Sequence, residues 1–145
     1  MGNLSRTKGA AYEREVALEL HALTGINFAR NLRQYQKSGD DDLRADDDAW
    51  PFAIECKRYA TANTCAPAWK KQAEEAAERQ DKLPAVCWRG DRMETRVSVP
   101  MYAFCAAFSR HQWADLSLQG FASLAREIMS GAALTEFIEL RGGVE

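Results

Sequence analysis

Histidine and paired cysteines are scarce in this 145-residue chain. It contains two histidines and four cysteines, and no two cysteines have C-x-x-C spacing. Structural zinc sites are built from clustered cysteine and histidine residues, so the sequence argues against a structural zinc site. The cysteines are expected to be reduced and mostly buried thiols.

Long apolar segments are also absent. No stretch approaches the roughly 20 consecutive apolar residues that a membrane-spanning helix needs. The polar residues from Met1 to Arg6 lack the hydrophobic centre of a signal peptide. A content of 46% hydrophobic and 28% charged residues is typical of a soluble globular protein. We therefore expect a cytoplasmic protein without membrane association.

The chain has no excess of positive charge, which nucleic-acid-binding proteins usually carry, and its net charge is −2. Its acidic residues are concentrated, however. Residues 40–48 contain six Asp and one Arg, a local charge of −5 that leaves +3 on the remainder. A mildly basic body around one acidic cluster suits a protein that contacts phosphates and holds a metal ion beside them. A mixed-charge solvated surface is the alternative that these counts leave open.

The apolar pattern predicts an α/β arrangement, with a small mixed β-sheet flanked by helices. Helices are predicted at residues 9–23 and 66–80, and strands at 26–32, 42–45, 52–59, 83–88 and 94–99. After Pro100 the pattern becomes helical or irregular. We expect one domain over residues 1–145, with a core of about 6–100 and a helical C-terminal extension over 101–145.

The acidic run is followed by a short apolar segment that contains Glu55 and Lys57. Because side chains alternate along a strand, these two residues are predicted to share a polar face with Ala53. A turn at residues 46–48 would place Asp42 directly opposite Glu55. Two facing carboxylates about 5 Å apart destabilise a sheet unless a cation lies between them. Since Mg²⁺ and Mn²⁺ prefer oxygen ligands, the pair predicts a divalent-metal site.

One acidic residue of the first helix lies among its apolar residues. Tyr12, Val16 and Leu20 belong to an apolar arc of about 140°, and Glu13 falls inside that arc. A carboxylate on a packing face costs free energy unless something pairs with it. Glu13 is therefore a candidate for the same metal site. The alternative is a partly solvated carboxylate at the helix N-terminus, where the helix dipole favours it.

Four segments of the chain resemble the archaeal-type Holliday junction resolvases of the PD-(D/E)xK nuclease superfamily. They are KGAAYERE at residues 8–15, DLRA at 42–45, IECK at 54–57 and LPAV at 83–86, and Arg30 also matches. The resemblance covers roughly residues 6–88. Two departures are Asp41, where the family usually has a proline, and a longer loop between residues 30 and 42.

This resemblance implies a restriction-endonuclease-like core and a set of site residues. The family's acidic metal site falls on Glu13, Asp42 and Glu55, and its catalytic lysine on Lys57. Arg14 and Arg30 match arginines that are associated with DNA contact and catalysis.

Phosphodiester hydrolysis explains why these residue types are needed together. A metal held by Asp42 and Glu55 would activate water and polarise the phosphate. Lys57 would orient that water and offset the developing negative charge. Glu13 would hold a metal-bound water or a second metal. We expect one or two Mg²⁺ ions, with Mn²⁺ able to substitute.

Several residues outside this set are weaker candidates. Arg33, Lys37 and Ser38 lie in the loop before the site and are predicted to follow a DNA backbone. Gln72 is a candidate to reach the site from the second helix, although a surface glutamine is the alternative. The four tryptophans are assigned to packing, with base stacking as the alternative. The apolar run at 101–108 is either a dimer surface or a core helix.

The leading hypothesis is a Mg²⁺-dependent endodeoxyribonuclease, a Holliday junction resolvase that acts on four-way or branched DNA. Two symmetric nicks across a junction require two active sites related by a two-fold axis, so a homodimer is expected. A second hypothesis keeps the site and makes the protein a nicking, repair or restriction-type nuclease. A third is a non-catalytic DNA-binding accessory protein of the same fold.

Overall fold

The computed structural model describes the backbone of residues 2–32 and 41–140, and side chains at 9–32 and 41–131. The loop candidates Arg33, Lys37 and Ser38 lie outside these residues. In chain order, the elements are α1 (Gly2–Thr24), β1 (Phe28–Arg30), β2 (Leu43–Ala45), β3 (Phe52–Arg58), α2 (Pro67–Gln80), β4 (Leu83–Arg89), β5 (Arg96–Pro100), a 3₁₀ turn (Met101–Ala103), β6 (Trp113–Ser117) and α3 (Leu118–Leu140).

The strands form one mixed sheet whose spatial order follows the chain, from β1 to β6. Only β3 and β4 are parallel, while the other neighbouring pairs are antiparallel. A parallel pair needs a crossover, and α2 supplies it. The predicted α/β order and the mixed sheet are confirmed.

Helices cover both faces of the sheet. On one face, α1 and α3 bury an apolar cluster that includes Val16, Phe52, Ile54 and Phe121. On the other face, α2 packs over a smaller cluster that includes Ala73, Val86 and Trp88. Strand β3 is therefore buried from both sides along its first four residues. Any polar side chain on this stretch of β3 lies inside the protein.

Local sequence signals explain where α1 ends and where α2 begins and ends. Gly25 follows α1 with φ of 77°, and its N–H donates to the carbonyl of His21 at 2.8 Å. Pro67 begins α2, where its missing N–H costs no hydrogen bond. Asp81 caps the end of α2 in the left-handed conformation, with φ of 53°. A strand begins within a few residues of each helix end, β1 after α1 and β4 after α2.

The structure differs from the sequence-based expectations in three elements. Helix α1 begins at Gly2 rather than at residue 9, and β1 is limited to three residues. The helical C-terminal extension is confirmed by α3, but the same segment also contributes strand β6, which was not predicted. Of the two alternatives for residues 101–108, a dimer surface or a core helix, the core helix is wrong. Only a 3₁₀ turn forms there, and Phe104 and Phe108 are exposed.

Within the described part of the chain, no helix is both long enough and apolar enough to cross a membrane. The four cysteines are free thiols, of which Cys65 and Cys87 are buried and Cys105 is exposed. Trp50 and Trp88 are buried, which confirms packing roles for these two.

Candidate active site

The hairpin register brings two carboxylates together. Leu43 pairs with Ile54, so the adjoining residues Asp42 and Glu55 face each other across β2 and β3. The Asp42 N–H donates to the carbonyl of Ile54 at 2.8 Å, and Asp42 Oδ2 accepts the N–H of Cys56 at 2.6 Å. These bonds fix the Asp42 side chain against β3. The predicted pairing of Asp42 with Glu55 is confirmed.

Glu55 is an ionisable residue in the interior of the protein. Its relative exposure is 0%, and no described residue forms a hydrogen bond with either of its carboxylate oxygens. The predicted polar face of β3 is therefore not open, because Ala53 is also fully buried and α2 covers this side. A buried polar group without a partner costs about 1–3 kcal/mol. The ionised arrangement is unfavourable unless a proton shared with Asp42, or a cation, lies between the two carboxyl groups.

Burial and mutual repulsion raise the pKa of both carboxyl groups. Burial, together with the nearby negative charge of Asp42, raises the pKa of Glu55 to about 9. Burial likewise raises the pKa of Asp42 to about 6, although the bond from the Cys56 N–H opposes this shift. The negative charge of Glu13 adds to the shift at Asp42. The protein thus binds a proton at this pair near neutral pH when no cation is present.

Glu13 lies beside the pair but has a partner of its own. Its residue exposure is 7%, and its Oε2 accepts a hydrogen bond from Arg30 Nε at 2.6 Å. The alternative of a partly solvated carboxylate at a helix N-terminus is wrong, since α1 begins 11 residues earlier, at Gly2. Among the described residues, no three His, Cys, Asp or Glu side chains form a ready metal-ligand cluster. A ligand role for Glu13 therefore stays a prediction.

Lys57 is held by α2. Its Nζ donates a hydrogen bond to Gln72 Oε1 at 2.8 Å, and both residues are half-buried. The alternative of Gln72 as a plain surface residue is wrong, because its side chain fixes the ammonium group two residues after Glu55. Gln72 thus reaches the candidate site through Lys57.

Asp41 is a buried acidic residue that the sequence analysis noted as a departure from the family but did not propose for the site. It is 2% exposed, and its Oδ1 accepts hydrogen bonds from Arg44 Nε at 3.1 Å and Asn31 Nδ2 at 3.3 Å. Burial raises its pKa, and Arg44 opposes the shift. The sequence signal was only the run of aspartates. With two donors already bound, Asp41 anchors the chain that leads to Asp42.

Arg14 is exposed, in contrast with Arg30. Both arginines line a shallow depression of about 470 Å³ together with Leu18, Phe28 and Leu32. The depression lies beside edge strand β1, which is paired with β2 through Arg30 and Leu43. Arginine side chains at this place are suited to contacts with phosphate groups near the carboxylate pair.

The donor set fits a divalent cation. Asp42 and Glu55 offer carboxylate oxygens, which are the ligands of hard cations such as Mg²⁺. The two Glu55 oxygens lack hydrogen-bond partners in the described structure, so a cation would satisfy buried polar atoms that are otherwise unpaired. It would also remove the repulsion that raises both pKa values.

Comparison with known proteins identifies the fold. The structure is similar to that of Hjc from Archaeoglobus fulgidus, a Holliday junction resolvase from an archaeal hyperthermophile. The TM-score is 0.53 at 16% sequence identity, and the match covers 81% of this chain and 98% of the Hjc chain. This likeness identifies the restriction-endonuclease-like fold. No protein of curated function matches the chain in sequence.

The sequence also matches a family model over residues 4–128, and the family is described as "Phage putative PDDEXK endonuclease". The matched range contains both carboxylates, Lys57 and Gln72. The fold and the D…E-x-K hairpin define the class as PD-(D/E)xK nucleases, which generally use divalent metals. The chain belongs to this phage PDDEXK endonuclease family.

Proposed function

We propose that the protein is a Mg²⁺-dependent DNA endonuclease that prefers branched DNA, and four-way junctions in particular. The observation that carries the proposal is the fully buried Glu55, whose unpaired carboxylate oxygens face Asp42. Family membership supports endonuclease activity, and the likeness to a Holliday junction resolvase supports the preference for junctions.

Asp42 and Glu55 would hold the cation, for which Mn²⁺ could substitute. A bound Mg²⁺ supplies Lewis-acid polarisation of the phosphate and lowers the pKa of water. Lys57 is fixed by Gln72 on the same strand face as Glu55, so its ammonium would orient the attacking water and offset charge on the phosphate oxygens. Hydrolysis forms a bond between the water oxygen and phosphorus and breaks one phosphorus–oxygen bond of the backbone.

DNA contacts would come from the arginines beside the carboxylate pair. Arg14 is exposed, and Arg30 already orders Glu13 at the edge of the site. Arg33, Lys37 and Ser38 are proposed to continue this contact along the DNA backbone. Cutting a four-way junction symmetrically requires two such sites, so we propose that the active species is a homodimer.

The test compares an end-labelled, immobile four-way junction with a linear duplex of matched sequence, each in Mg²⁺ and in EDTA. The variants are Glu55→Ala and, as a matched control, Glu75→Ala at an exposed position of α2. We expect paired, symmetric nicks on the junction in Mg²⁺ with the wild type and with the control variant. Cleavage should be absent in EDTA and with Glu55→Ala.

Two other outcomes contradict parts of the proposal. Equal cleavage of junction and duplex keeps the nuclease and overturns the junction preference, which favours a nicking, repair or restriction-type enzyme. Tight junction binding without any metal-dependent cleavage, and without an effect of Glu55→Ala, overturns catalysis and favours an accessory protein.

A further inference from the structure

Two aromatic rings are stacked on the surface just beyond the candidate site. Tyr59 and Trp69 have ring centroids 5.3 Å apart and an angle of 16° between their planes. Tyr59 is 52% exposed, whereas Trp69 is half-buried and packs against the small cluster under α2. Since one face of the Tyr59 ring lies against Trp69, its exposed surface lies largely on the other face and the edge.

The backbone around Tyr59 is held in place. The Tyr59 N–H donates to the carbonyl of Arg89 at 3.2 Å, which extends the pairing of β3 with β4 by one residue. The Tyr59 carbonyl then accepts the N–H of Ala62 at 3.1 Å. Gly90 packs tightly against this turn, since an added Cβ there would lie 2.1 Å from the Ala62 carbonyl oxygen. The ring is therefore presented by an ordered turn.

The Tyr59–Trp69 stack lies next to the hydrogen bond to Gln72 that holds Lys57. Tyr59 follows Lys57 by two residues, which places it on the same side of β3 and about 7 Å further along. Trp69 precedes Gln72 by three residues, so the two are neighbours on one face of α2. The Lys57–Gln72 hydrogen bond and the Tyr59–Trp69 stack are thus successive contacts between β3 and α2.

The place of Tyr59 beside Lys57 favours DNA as the occupant, because the proposed function brings a phosphate to Lys57. Tyr59 lies about 7 Å beyond Lys57 along β3. A base of the nucleotide next to a phosphate bound at Lys57 is therefore within reach of the exposed face of Tyr59.

We propose that Tyr59, supported by Trp69, is a stacking platform for a nucleobase that is left unstacked, at an open branch point or in a single strand, next to the scissile phosphate. Bases inside a duplex already stack on both faces, so only DNA with an open branch point or a single-stranded base offers a free face. The platform is then a specificity-determining element that selects branched DNA over linear duplex. This inference rests on the proposed function and names the feature of the substrate that is recognised.

The test measures binding without cleavage. A four-way junction carries 2-aminopurine at the branch point, and binding is followed in EDTA by its fluorescence. The variants are Tyr59→Ala, the conservative Tyr59→Phe, and Glu75→Ala as a control at an exposed position of α2. Thermal unfolding followed by circular dichroism checks that all variants fold.

We expect Tyr59→Ala to weaken junction binding by about 5- to 150-fold, the range for losing one base–aromatic stack. It should also abolish the fluorescence change of the branch-point base. Tyr59→Phe keeps the ring and should bind as the wild type does, as should Glu75→Ala. Wild-type affinity and fluorescence in Tyr59→Ala, or an equal loss in Tyr59→Phe, overturns the platform.

The outcomes separate this inference from the proposed function. If the wild type binds and shows the Tyr59-dependent fluorescence change but cuts no DNA in Mg²⁺, the platform stands and the catalytic proposal fails. If the wild type cuts junctions and Tyr59→Ala binds and cuts them equally well, the catalytic proposal stands and the platform fails. If the wild type does not bind the junction, the platform is overturned.

Discussion

Replacing Glu55 by glutamine should change how the stability of the metal-free protein depends on pH. The pKa of Glu55 is about 9 in the folded protein, compared with an ordinary value of 4.5. The folded state thus binds this proton more tightly than the unfolded state does. The free energy of unfolding therefore falls as the pH rises from about 4.5 to 9, by up to about 1.4 kcal/mol per pH unit.

Between pH 5 and pH 8 the wild type should lose about 4 kcal/mol more unfolding free energy than Glu55→Gln does. The pKa of Asp42 is raised in both proteins, and its effect on the unfolding free energy lies mainly below about pH 6. Urea denaturation in EDTA at several pH values measures the difference, and buried Trp50 and Trp88 provide a fluorescence signal. Parallel pH profiles for the two proteins would refute the reasoning.

A control and a metal titration sharpen this experiment. Glu75→Gln removes a carboxylate from an exposed position of α2, so its pH profile should follow that of the wild type. Adding Mg²⁺ at pH 8 should stabilise the wild type, because a ligand that binds only the folded state raises the unfolding free energy. The same addition should have little effect on Glu55→Gln.

Three further predictions concern the surroundings of the site. Gln72→Leu removes the acceptor for Lys57 and should lower the cleavage rate about 10-fold in a single-turnover assay, with little change in urea midpoint. Arg30→Met leaves Glu13 buried without this cation, so the unfolding free energy at pH 7 should fall by about 1–3 kcal/mol in urea denaturation. Gly90→Ala forces a backbone clash and should cost about 1–3 kcal/mol in urea denaturation.

The pairing of the two carboxylates could be predicted because its determinants are local. The acidic turn between β2 and β3 fixes the hairpin register, and a slip by one residue would move every apolar side chain of β3 to the other face. Asp42 and Glu55 therefore face each other as the sequence indicated. The position of Glu13 in the packed face of α1 likewise follows from helical periodicity.

The burial of Glu55 was not predictable from its own strand. A polar face normally meets solvent, but the buried residues of α2 are all alanines, Ala73, Ala76 and Ala77. Such small side chains let the helix lie close over β3 and exclude water from Glu55. This closeness depends on packing between segments that are distant in sequence.

Strand β6 was missed for a related reason. Trp113–Ser117 is held by pairing along its whole length with β5, from Pro100 to Arg96. Its own residues are half-buried or exposed, so they carry no strong apolar alternation. The stacked Tyr59–Trp69 pair is a similar case, because a tyrosine after β3 and a tryptophan in α2 meet only once the crossover is formed.

The central claim is that Asp42 and Glu55 form a divalent-cation site, and direct titration with Mn²⁺ tests it most closely. Free Mn²⁺ is followed by electron paramagnetic resonance with the wild type, Asp42→Asn, Glu55→Gln and the exposed control Glu75→Gln. The account predicts saturable binding to the wild type and the control, weakened at least about 10-fold in both site variants. Identical binding curves for all four proteins would contradict it.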